Sequence, residues 1–333
     1  MSKPKRHHYI PKAYLKQWED KQKLIWYYNK KEKTVAHRNK DSVLYEEHLY
    51  SLTLREIYYL TPQQQEIFAE PLKEFDVYLD DKKLTNPEII ENLIRYNEFT
   101  IKKKDGKLVS HRQKGDLLEK VLNSKHFLIE EEYNRIENIW PDVVDFFENY
   151  KNMVLQNNFV MPKENTLKKY ADELLNFILA TYTRNPYNML HRLEMLEQNH
   201  NIKLDNRHAR TVFEKMQLLY LSGERNLFEK IDYDINMIFT TPETPFLTSD
   251  NPAILNGMII ENVGFTGIFW FPLSPNILVS LSKKQKQDQL SIKPYIAAKE
   301  TVIALNDMIR QYAEECFVSS VNINDNNYRF INN

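Results

Sequence analysis

The apolar residues of this 333-residue chain follow a helical period in its middle and a strand-like pattern towards its end. Between 116 and 183, aliphatic and aromatic residues recur every three or four positions, as along the buried face of a helix. After Gly223, short runs rich in Ile, Val, Phe and Thr are separated by Pro, Asn, Asp and Gly, which is typical of strands and turns. One more helical segment at 299–314 and a strand-like one at 317–321 complete the pattern. Helices followed by strands predict an α+β fold.

The N-terminal part adds a short helix and a hairpin. Pro11 suits the first turn of a helix, where its missing N–H costs nothing, and the strand formers at 24–28 and 34–36 flank a polar turn. We expect this hairpin to join or flank a mainly antiparallel sheet from the C-terminal third, with the helices forming a central lobe. That pairing would bring residues 7–16 near residues 245–275.

We expect a single domain that covers the whole chain, 1–333. Its sub-regions are a basic arm and hairpin at 1–60, a helical lobe at 61–225, and a strand-rich part with a last helix at 226–333. In the helical lobe, a helix is predicted from 62 to 79. Pro141 is expected to break or restart the long helical run, because proline lacks the backbone N–H that a helix interior needs.

Glycine and cysteine are scarce, which excludes several classes of protein. The chain has six glycines and no glycine-rich phosphate loop, so folds that hold phosphates with glycine are disfavoured. The motifs of zinc peptidases and serine hydrolases are also absent. The single cysteine, Cys316, excludes a disulfide framework and a cysteine-based zinc site. No segment resembles a membrane-spanning helix or a signal peptide, and we expect a cytoplasmic protein without membrane contact.

The positive charge of the chain is concentrated at its N-terminal end. The net charge is −1, but residues 1–40 carry 12 basic and three acidic side chains, a net charge of +9. The remaining residues therefore carry a net charge of −10. A basic arm on an acidic body indicates an anionic partner, of which nucleic acid is the commonest. The alternative is a basic surface that is merely solvated. A second basic stretch, at 102–114, is expected to be an exposed loop or hairpin tip.

Three short segments carry the residue types that catalysis or ligand binding needs. In the first, HHYIP at 7–11, a histidine could act as a general base or bind one metal, while its neighbour faces another way and packs. In the second, TSDNP at 248–252, the carboxylate of Asp250 could bind a metal or transfer a proton. In the third, RNP at 184–186, an arginine beside a helix start could bind a phosphate.

Each segment also has a structural interpretation. His7 and His8 would pin the arm to the core, and Asp250 would bond the backbone of its own turn, as Asp and Asn often do. Arg184 would end its helix and pair with an acid such as Glu137. An open pocket shared by the three segments would favour catalysis, whereas histidines buried in separate hydrogen-bond networks would favour structure.

Together these segments resemble the uncharacterised microbial family DUF 4238. Members of that family begin with HHY-[IV]-P, as at 7–11, and continue with an Arg-x-Pro step, as at 184–186. A Thr-Ser-Asp-Asn-Pro turn, as at 248–252, and a Phe-Pro-Leu-Ser segment, as at 271–274, follow in the same order. The chain departs from the family in having Asn185 where Ser or Thr is commoner. The resemblance implies no activity, because none is assigned to the family.

The first functional hypothesis is a phosphodiester-acting hydrolase, a nuclease of the toxin or anti-phage-defence type, with RNA favoured over DNA as substrate. Its candidate catalytic residues are His7, His8 and Asp250. The candidates for phosphate binding are Lys12, Arg184 and Asn251. If a metal takes part, Mg²⁺ or Mn²⁺ is expected, with His8 and Asp250 as candidate ligands. The alternative is a non-catalytic module with structural histidines, which binds nucleic acid or a partner protein through the basic arm.

Overall fold

The computed structural model describes residues 6–47, 49, 62–156, 162–188, 198, 233–255, 259–260, 265–266, 269–283 and 290–323. The described α-helices are α1 (Lys12–Leu15), α2 (Pro62–Ala69), α3 (Asn86–Glu91), α4 (His111–Leu155), α5 (Glu164–Arg184) and α6 (Lys299–Tyr312). Short 3-10 helices lie at Lys16–Trp18, Lys40–Ser42, Glu70–Leu72 and Leu93–Glu98. The described strands are β1 (Arg6–His8), β2 (Ile25–Asn29), β3 (Thr34–Arg38), β4 (Tyr45–Glu47), β5 (Phe75–Leu79), β6 (Lys82–Lys83), β7 (Thr100–Lys103), β8 (Tyr233–Phe239), β9 (Thr248–Ser249), β10 (Ile254–Leu255), β11 (Ile259–Ile260), β12 (Phe265–Thr266), β13 (Phe269–Ser274), β14 (Ile277–Lys283), β15 (Ile292–Ile296) and β16 (Cys316–Ser319).

The helices and strands combine in an α+β fold, as the sequence predicts. Five strands from the C-terminal third form one sheet in the order β10-β13-β14-β8-β15, which is antiparallel except where β15 pairs with β8. A second sheet, in the order β3-β2-β16-β9, is antiparallel throughout. The N-terminal hairpin of β2 and β3 therefore joins strands of the C-terminal third, which confirms that expectation.

The described residues form two compact units. Those from Glu47 to Asn134 belong to the smaller unit, and those from Arg6 to Glu46 and from Arg135 onwards belong to the larger one. The extent of a single domain and the three sub-regions stay predictions. All the candidate site residues lie in the larger unit.

The smaller unit contains a three-stranded sheet, β6-β5-β7, in the region that the sequence analysis assigned to helices. The helix predicted from 62 to 79 is wrong in its second half, because α2 ends at Ala69, a short 3-10 helix follows at Glu70–Leu72, and β5 begins at Phe75. Pro71, which cannot donate a helical hydrogen bond, lies just after this end. In β5, Val77 and Leu79 are buried two positions apart, which is the period of a strand.

Helix α4 continues through Pro141, so the predicted break at this residue is wrong. An internal proline costs about 3 kcal/mol in a helix, because it removes one hydrogen bond and crowds the preceding turn. Around it, Trp140, Val143 and Phe147 are buried in the core. Each buried side chain of this kind contributes about 1.5–3 kcal/mol, and their sum exceeds the cost of the proline.

The core of the larger unit lies on both faces of the five-stranded sheet, because neighbouring side chains on a strand point to opposite faces. On β13, Trp270 belongs to an apolar cluster that includes buried residues of α6. The next residue, Phe271, contacts Trp140 of α4 and Phe177 of α5, with ring centroids 6.0 and 6.1 Å away. The sheet is therefore covered by α6 on one face and by α4 and α5 on the other.

The first helix and the 3-10 helix after it are attached to this core by three buried hydrogen bonds. The Tyr14 hydroxyl donates to the carbonyl oxygen of Pro272 at 2.8 Å and lies 2.6 Å from the Thr248 hydroxyl. The Trp18 indole N–H donates to the carbonyl oxygen of Phe246 at 3.1 Å. These contacts confirm the expected proximity of residues 7–16 to residues 245–275.

Candidate functional site

The HHYIP segment runs from strand β1 into the start of α1. Strand β1 pairs with β4, and the Tyr9 N–H donates to the carbonyl oxygen of Leu44 at 3.2 Å. His7 is buried, with 2% of its surface exposed, whereas His8 is partly exposed. The two histidines therefore have different surroundings, as expected for neighbours in a strand.

His8 is electrically neutral at pH 7. Its ring lies edge-on to the ring of Tyr45, with centroids 5.6 Å apart. Burial, followed by the positive charges of Lys12 and Arg184, lowers the pKa of His8 to about 4. The exposed Lys12 forms an ion pair with Asp41 at 3.4 Å. A neutral imidazole beside these cations can accept a hydrogen bond or a proton.

Asp250 bonds the backbone that follows helix α6. Its carboxylate accepts the N–H of Glu314 at 2.9 Å on Oδ1, and the N–H groups of Glu315 at 2.6 Å and Cys316 at 2.9 Å on Oδ2. Its own N–H donates to the carbonyl oxygen of Cys316 at 3.2 Å. The side chain is fully buried. Both carboxylate oxygens are therefore already used in holding the chain between α6 and β16.

Burial and hydrogen bonding have opposite effects on the protonation of Asp250. Burial disfavours the charged form, whereas the three N–H donors favour it. The effect of burial is larger, and it raises the pKa of Asp250 from 3.8 to about 6. The carboxylate is thus mostly ionised at pH 7, at a cost in free energy that the N–H donors reduce.

Arg184 is the last residue of α5 and points into the protein. Its Nε donates to the carbonyl oxygen of Tyr9 at 2.9 Å, and its Nη1 donates to Glu137 Oε1 at 2.7 Å. Only 2% of its surface is exposed. This arrangement fits the structural interpretation, in which Arg184 ends its helix and pairs with an acid such as Glu137.

The three segments meet in the larger unit. Asn185 donates from Nδ2 to the carbonyl oxygen of Asp250 at 2.5 Å, and its Oδ1 accepts the N–H of Tyr187 at 2.9 Å. Together with the bond from Arg184 to Tyr9, this links RNP to both HHYIP and TSDNP. We call Tyr9, Arg184, Asn185 and Asp250 the motif cluster. The three segments therefore contact one another, as a shared catalytic pocket would require. The cluster is buried, however, and a catalytic pocket would be open to solvent.

The other two candidates for phosphate binding differ in exposure, since Asn251 is buried and Lys12 is exposed. Asn251 is 7% exposed, and its N–H donates to Ser249 Oγ at 3.1 Å. Its Oδ1 is buried without a hydrogen-bond partner among the described residues. Lys12 is exposed at the surface. In the described part of the chain, no three His, Cys, Asp or Glu side chains are grouped as metal ligands.

Two groups that contact the motif cluster were not predicted from the sequence. Tyr187 packs its ring edge-on against Tyr9, with centroids 6.0 Å apart. Its place just after RNP was the only signal. The backbone N–H groups of 314–316, which bond Asp250, leave no signal at all, because every residue except proline carries one.

The fold and the motif cluster define a class of α+β protein in which three distant segments form one buried polar network. The family model described as "Protein of unknown function (DUF4238)" matches residues 6–322. The chain belongs to this family, whose description states no activity. The comparisons with curated proteins and with solved structures gave no match. Among the described helices, none is long and apolar enough to cross a membrane.

Proposed function

We propose that this chain is a nucleic-acid-binding module in which the motif cluster has a structural role. The polar groups of the cluster already bond to each other and to the backbone, which supports structure over catalysis for Arg184 and Asp250. The observation that carries the proposal is a difference between two sets of lysines at the surface.

The first set lies on the N-terminal hairpin and the segment before it. These side chains are exposed, and none of them forms an ion pair within the described part of the chain: Lys16, Lys21, Lys23, Lys31 and Lys33. We call this set the hairpin lysines. Their charge is not neutralised by a neighbouring carboxylate, so it is available to an anionic partner.

The second set consists of Lys104, Lys107 and Lys114 in the basic stretch at 102–114, and each of these side chains has a partner within the protein. Lys104 pairs with Asp76 at 2.9 Å, and Lys107 pairs with Asp105 at 3.3 Å. Lys114 donates to backbone carbonyl oxygens. These lysines stabilise the turn and the ends of nearby elements. They therefore serve as an internal comparison for the hairpin lysines.

The spacing of the hairpin lysines fits a polyanion. Lys21 and Lys23 precede β2, whereas Lys31 and Lys33 follow it. The five residues of β2 span about 16 Å, at about 3.3 Å per residue. One strand of a nucleic acid places phosphates about 3.4 Å apart along a duplex axis. The two pairs of lysines can therefore contact phosphates about four or five nucleotides apart.

The test is the salt dependence of binding, measured by fluorescence anisotropy with a labelled 12-nucleotide RNA. Each lysine that neutralises a phosphate of a single strand contributes about −0.7 to the slope of log K against log salt. Replacing Lys21, Lys23, Lys31 and Lys33 by Gln is expected to weaken binding and to make this slope shallower by about 3. Parallel titrations with DNA of the same sequence would show whether RNA is preferred.

The matched control is the double variant Lys104→Gln and Lys107→Gln, which removes paired charges from the second set. It is expected to leave both the affinity and the salt slope unchanged. Because the double variant removes half as many charges, a change in salt slope about half that of the quadruple variant would mean that net charge alone drives binding. No binding of the wild-type protein to RNA or DNA would contradict the proposal.

A second candidate function, phosphodiester hydrolysis, is supported by the position of His8. Its neutral imidazole lies partly exposed and close to the charge of Lys12. In this proposal His8 accepts the proton of the attacking hydroxyl or water, and Lys12 binds the phosphate. The toxin or defence role and the need for Mg²⁺ or Mn²⁺ are further parts of this hypothesis.

Hydrolysis is tested by incubating the protein with tRNA, mRNA and plasmid DNA, with and without Mg²⁺ or Mn²⁺. Cleavage that is lost in His8→Ala and reduced in Lys12→Gln would support this second function. Lys168→Gln, which removes an exposed lysine of α5, is the control and is expected to cleave normally. If the wild-type protein leaves every substrate intact, the module without catalysis remains.

A further inference from the structure

A cavity of about 320 Å³ lies beside the C-terminal end of α6, in the larger unit. It is lined by Lys30, Asp307, Arg310, Gln311 and Phe317. Its volume is within the range of small-molecule sites in proteins. The cavity is separate from the motif cluster, since the two share no residue.

Two flat groups and several polar atoms line this cavity. The Arg310 guanidinium lies over the ring of Phe317, 5.6 Å from its centroid. On the same ring, Tyr28 stacks nearly parallel, with centroids 4.9 Å apart. Arg310 also pairs with Asp307 at 3.2 Å. Because Tyr28 and Arg310 already pack on the ring of Phe317, the flat surface offered to a nucleobase is the guanidinium of Arg310. A guanidinium plane can stack on a base, and an adjacent carboxylate can accept hydrogen bonds from a base edge.

The cation that closes the cavity is fixed in place. The Lys30 ammonium donates to the carbonyl oxygens of Arg310, at 2.9 Å, and of Ala313, at the end of α6. The N–H of Lys30 donates to the carbonyl oxygen of Glu315 at 2.8 Å. A positive charge at a helix C-terminus is favourable, because the last carbonyl groups carry partial negative charge. Lys30 therefore connects the turn of the hairpin rigidly to the cavity.

We infer that this cavity binds one unpaired nucleobase of a single-stranded nucleic acid, whose phosphates contact Lys31 and Lys33 in the adjoining turn. The inference rests on the proposed function and makes it specific for single strands. A base in a duplex would first have to leave its stack and its partner, which costs free energy. The cavity therefore distinguishes a single strand from a duplex, whereas the hairpin lysines do not.

The experiment compares a single-stranded 12-nucleotide RNA with a duplex of the same sequence in the anisotropy assay. Arg310→Gln removes the flat cation while keeping a polar side chain. It is expected to weaken single-strand binding by about 5- to 150-fold, the range found when one base loses its stacking partner. Duplex binding is expected to stay within twofold of the wild type. Lys299→Gln, at the other end of α6, is the matched loss of charge and is expected to change neither affinity.

A second measurement does not depend on the folding of a variant. RNA carrying 5-iodouridine is photo-crosslinked to the wild-type protein, and the modified peptide is identified by mass spectrometry. The expected site is the peptide that contains Phe317. Crosslinks confined to other parts of the chain would overturn the inference, as would equal effects of Arg310→Gln on single strands and duplexes.

The two proposals can fail separately. If the affinity depends on the hairpin lysines but is the same for Arg310→Gln and for single strands and duplexes, the cavity inference is wrong and the binding function stands. If the wild-type protein binds neither RNA nor DNA, both are wrong.

Discussion

Replacing Asp250 by Asn tests whether burial or hydrogen bonding controls the charge at the centre of the motif cluster. The two side chains have nearly the same shape, but Asn carries no charge at any pH. Asp250 is fully buried and accepts three backbone N–H groups, on two different oxygens. At least one of these bonds is lost in the variant, because the amide nitrogen of Asn donates rather than accepts.

The expected magnitude follows from the pKa of Asp250, which rises from 3.8 to about 6 in the folded protein. That difference corresponds to about 3 kcal/mol, at 1.36 kcal/mol for each pH unit. The folded state binds the proton more tightly than the unfolded chain, so protonation stabilises the fold. This part of the stability is fully present below pH 3.8 and is lost as the pH rises through 6.

The assay is urea unfolding of the wild type and of Asp250→Asn at several pH values between 4 and 8. Other titrating groups contribute equally to both proteins, so the difference in unfolding free energy isolates Asp250. Relative to the variant, the wild type is expected to gain about 1 kcal/mol between pH 8 and pH 5, and about 2 kcal/mol by pH 4. Asp41→Asn, which changes an exposed carboxylate, is the control for the substitution itself.

The opposite trend would refute the reasoning. If the advantage of the wild type over Asp250→Asn grows as the pH rises, the three N–H donors outweigh burial and the pKa of Asp250 lies below 3.8. A difference that is independent of pH would mean that the folded and unfolded states bind this proton equally.

Three further predictions concern buried hydrogen bonds and His8. Tyr14→Phe removes the hydroxyl that bonds the Pro272 carbonyl and is expected to lower the unfolding free energy by about 1–3 kcal/mol in urea titrations; no change would show that this bond contributes nothing net. Asn306→Ala leaves a buried backbone donor and a buried acceptor unpaired, so calorimetry is expected to show a loss of about 2–6 kcal/mol, and Asn306→Leu should be no better. The pKa of His8, lowered from 6.5 to about 4, predicts the reverse of Asp250: stability is lost as the pH falls from 6.5 through 4, and this loss should be absent in His8→Asn. An NMR titration of the imidazole with a midpoint near 6.5 would contradict it.

The local patterns of the sequence predicted the elements that depend on local chemistry. The hairpin at 24–36 and the short helix that contains Tyr14 follow from strand formers, turn residues and proline placement. The small sheet around β5 was missed, because a short alternating run next to a helix start resembles the end of that helix until Pro71 is given its full weight. At Pro141 a helix break was predicted that the structure does not have, because the burial of its neighbours outweighs the lost hydrogen bond.

The three segments of the candidate site come together in the structure, whereas the chemical roles of their residues stay predictions. The three segments were expected to act together, and RNP does bond both of the others. Their residue types alone suit catalysis and structure equally. The hairpin lysines show the same limit, because only the positions of the carboxylates distinguish free charges such as Lys31 from paired ones such as Lys104.

The sequence by itself determined the α+β class, the order of the elements, the family and the three segments that matter, because period, turn residues and motif spacing are local properties. Only the tertiary structure decided that Asp250 and Arg184 are buried and that their partners are Glu137 and backbone groups of distant segments. Burial depends on which elements cover a side chain, and a backbone N–H or carbonyl is the same in nearly every residue. For that reason, the proposed function rests on the exposed lysines and the cavity beside them rather than on the buried carboxylate.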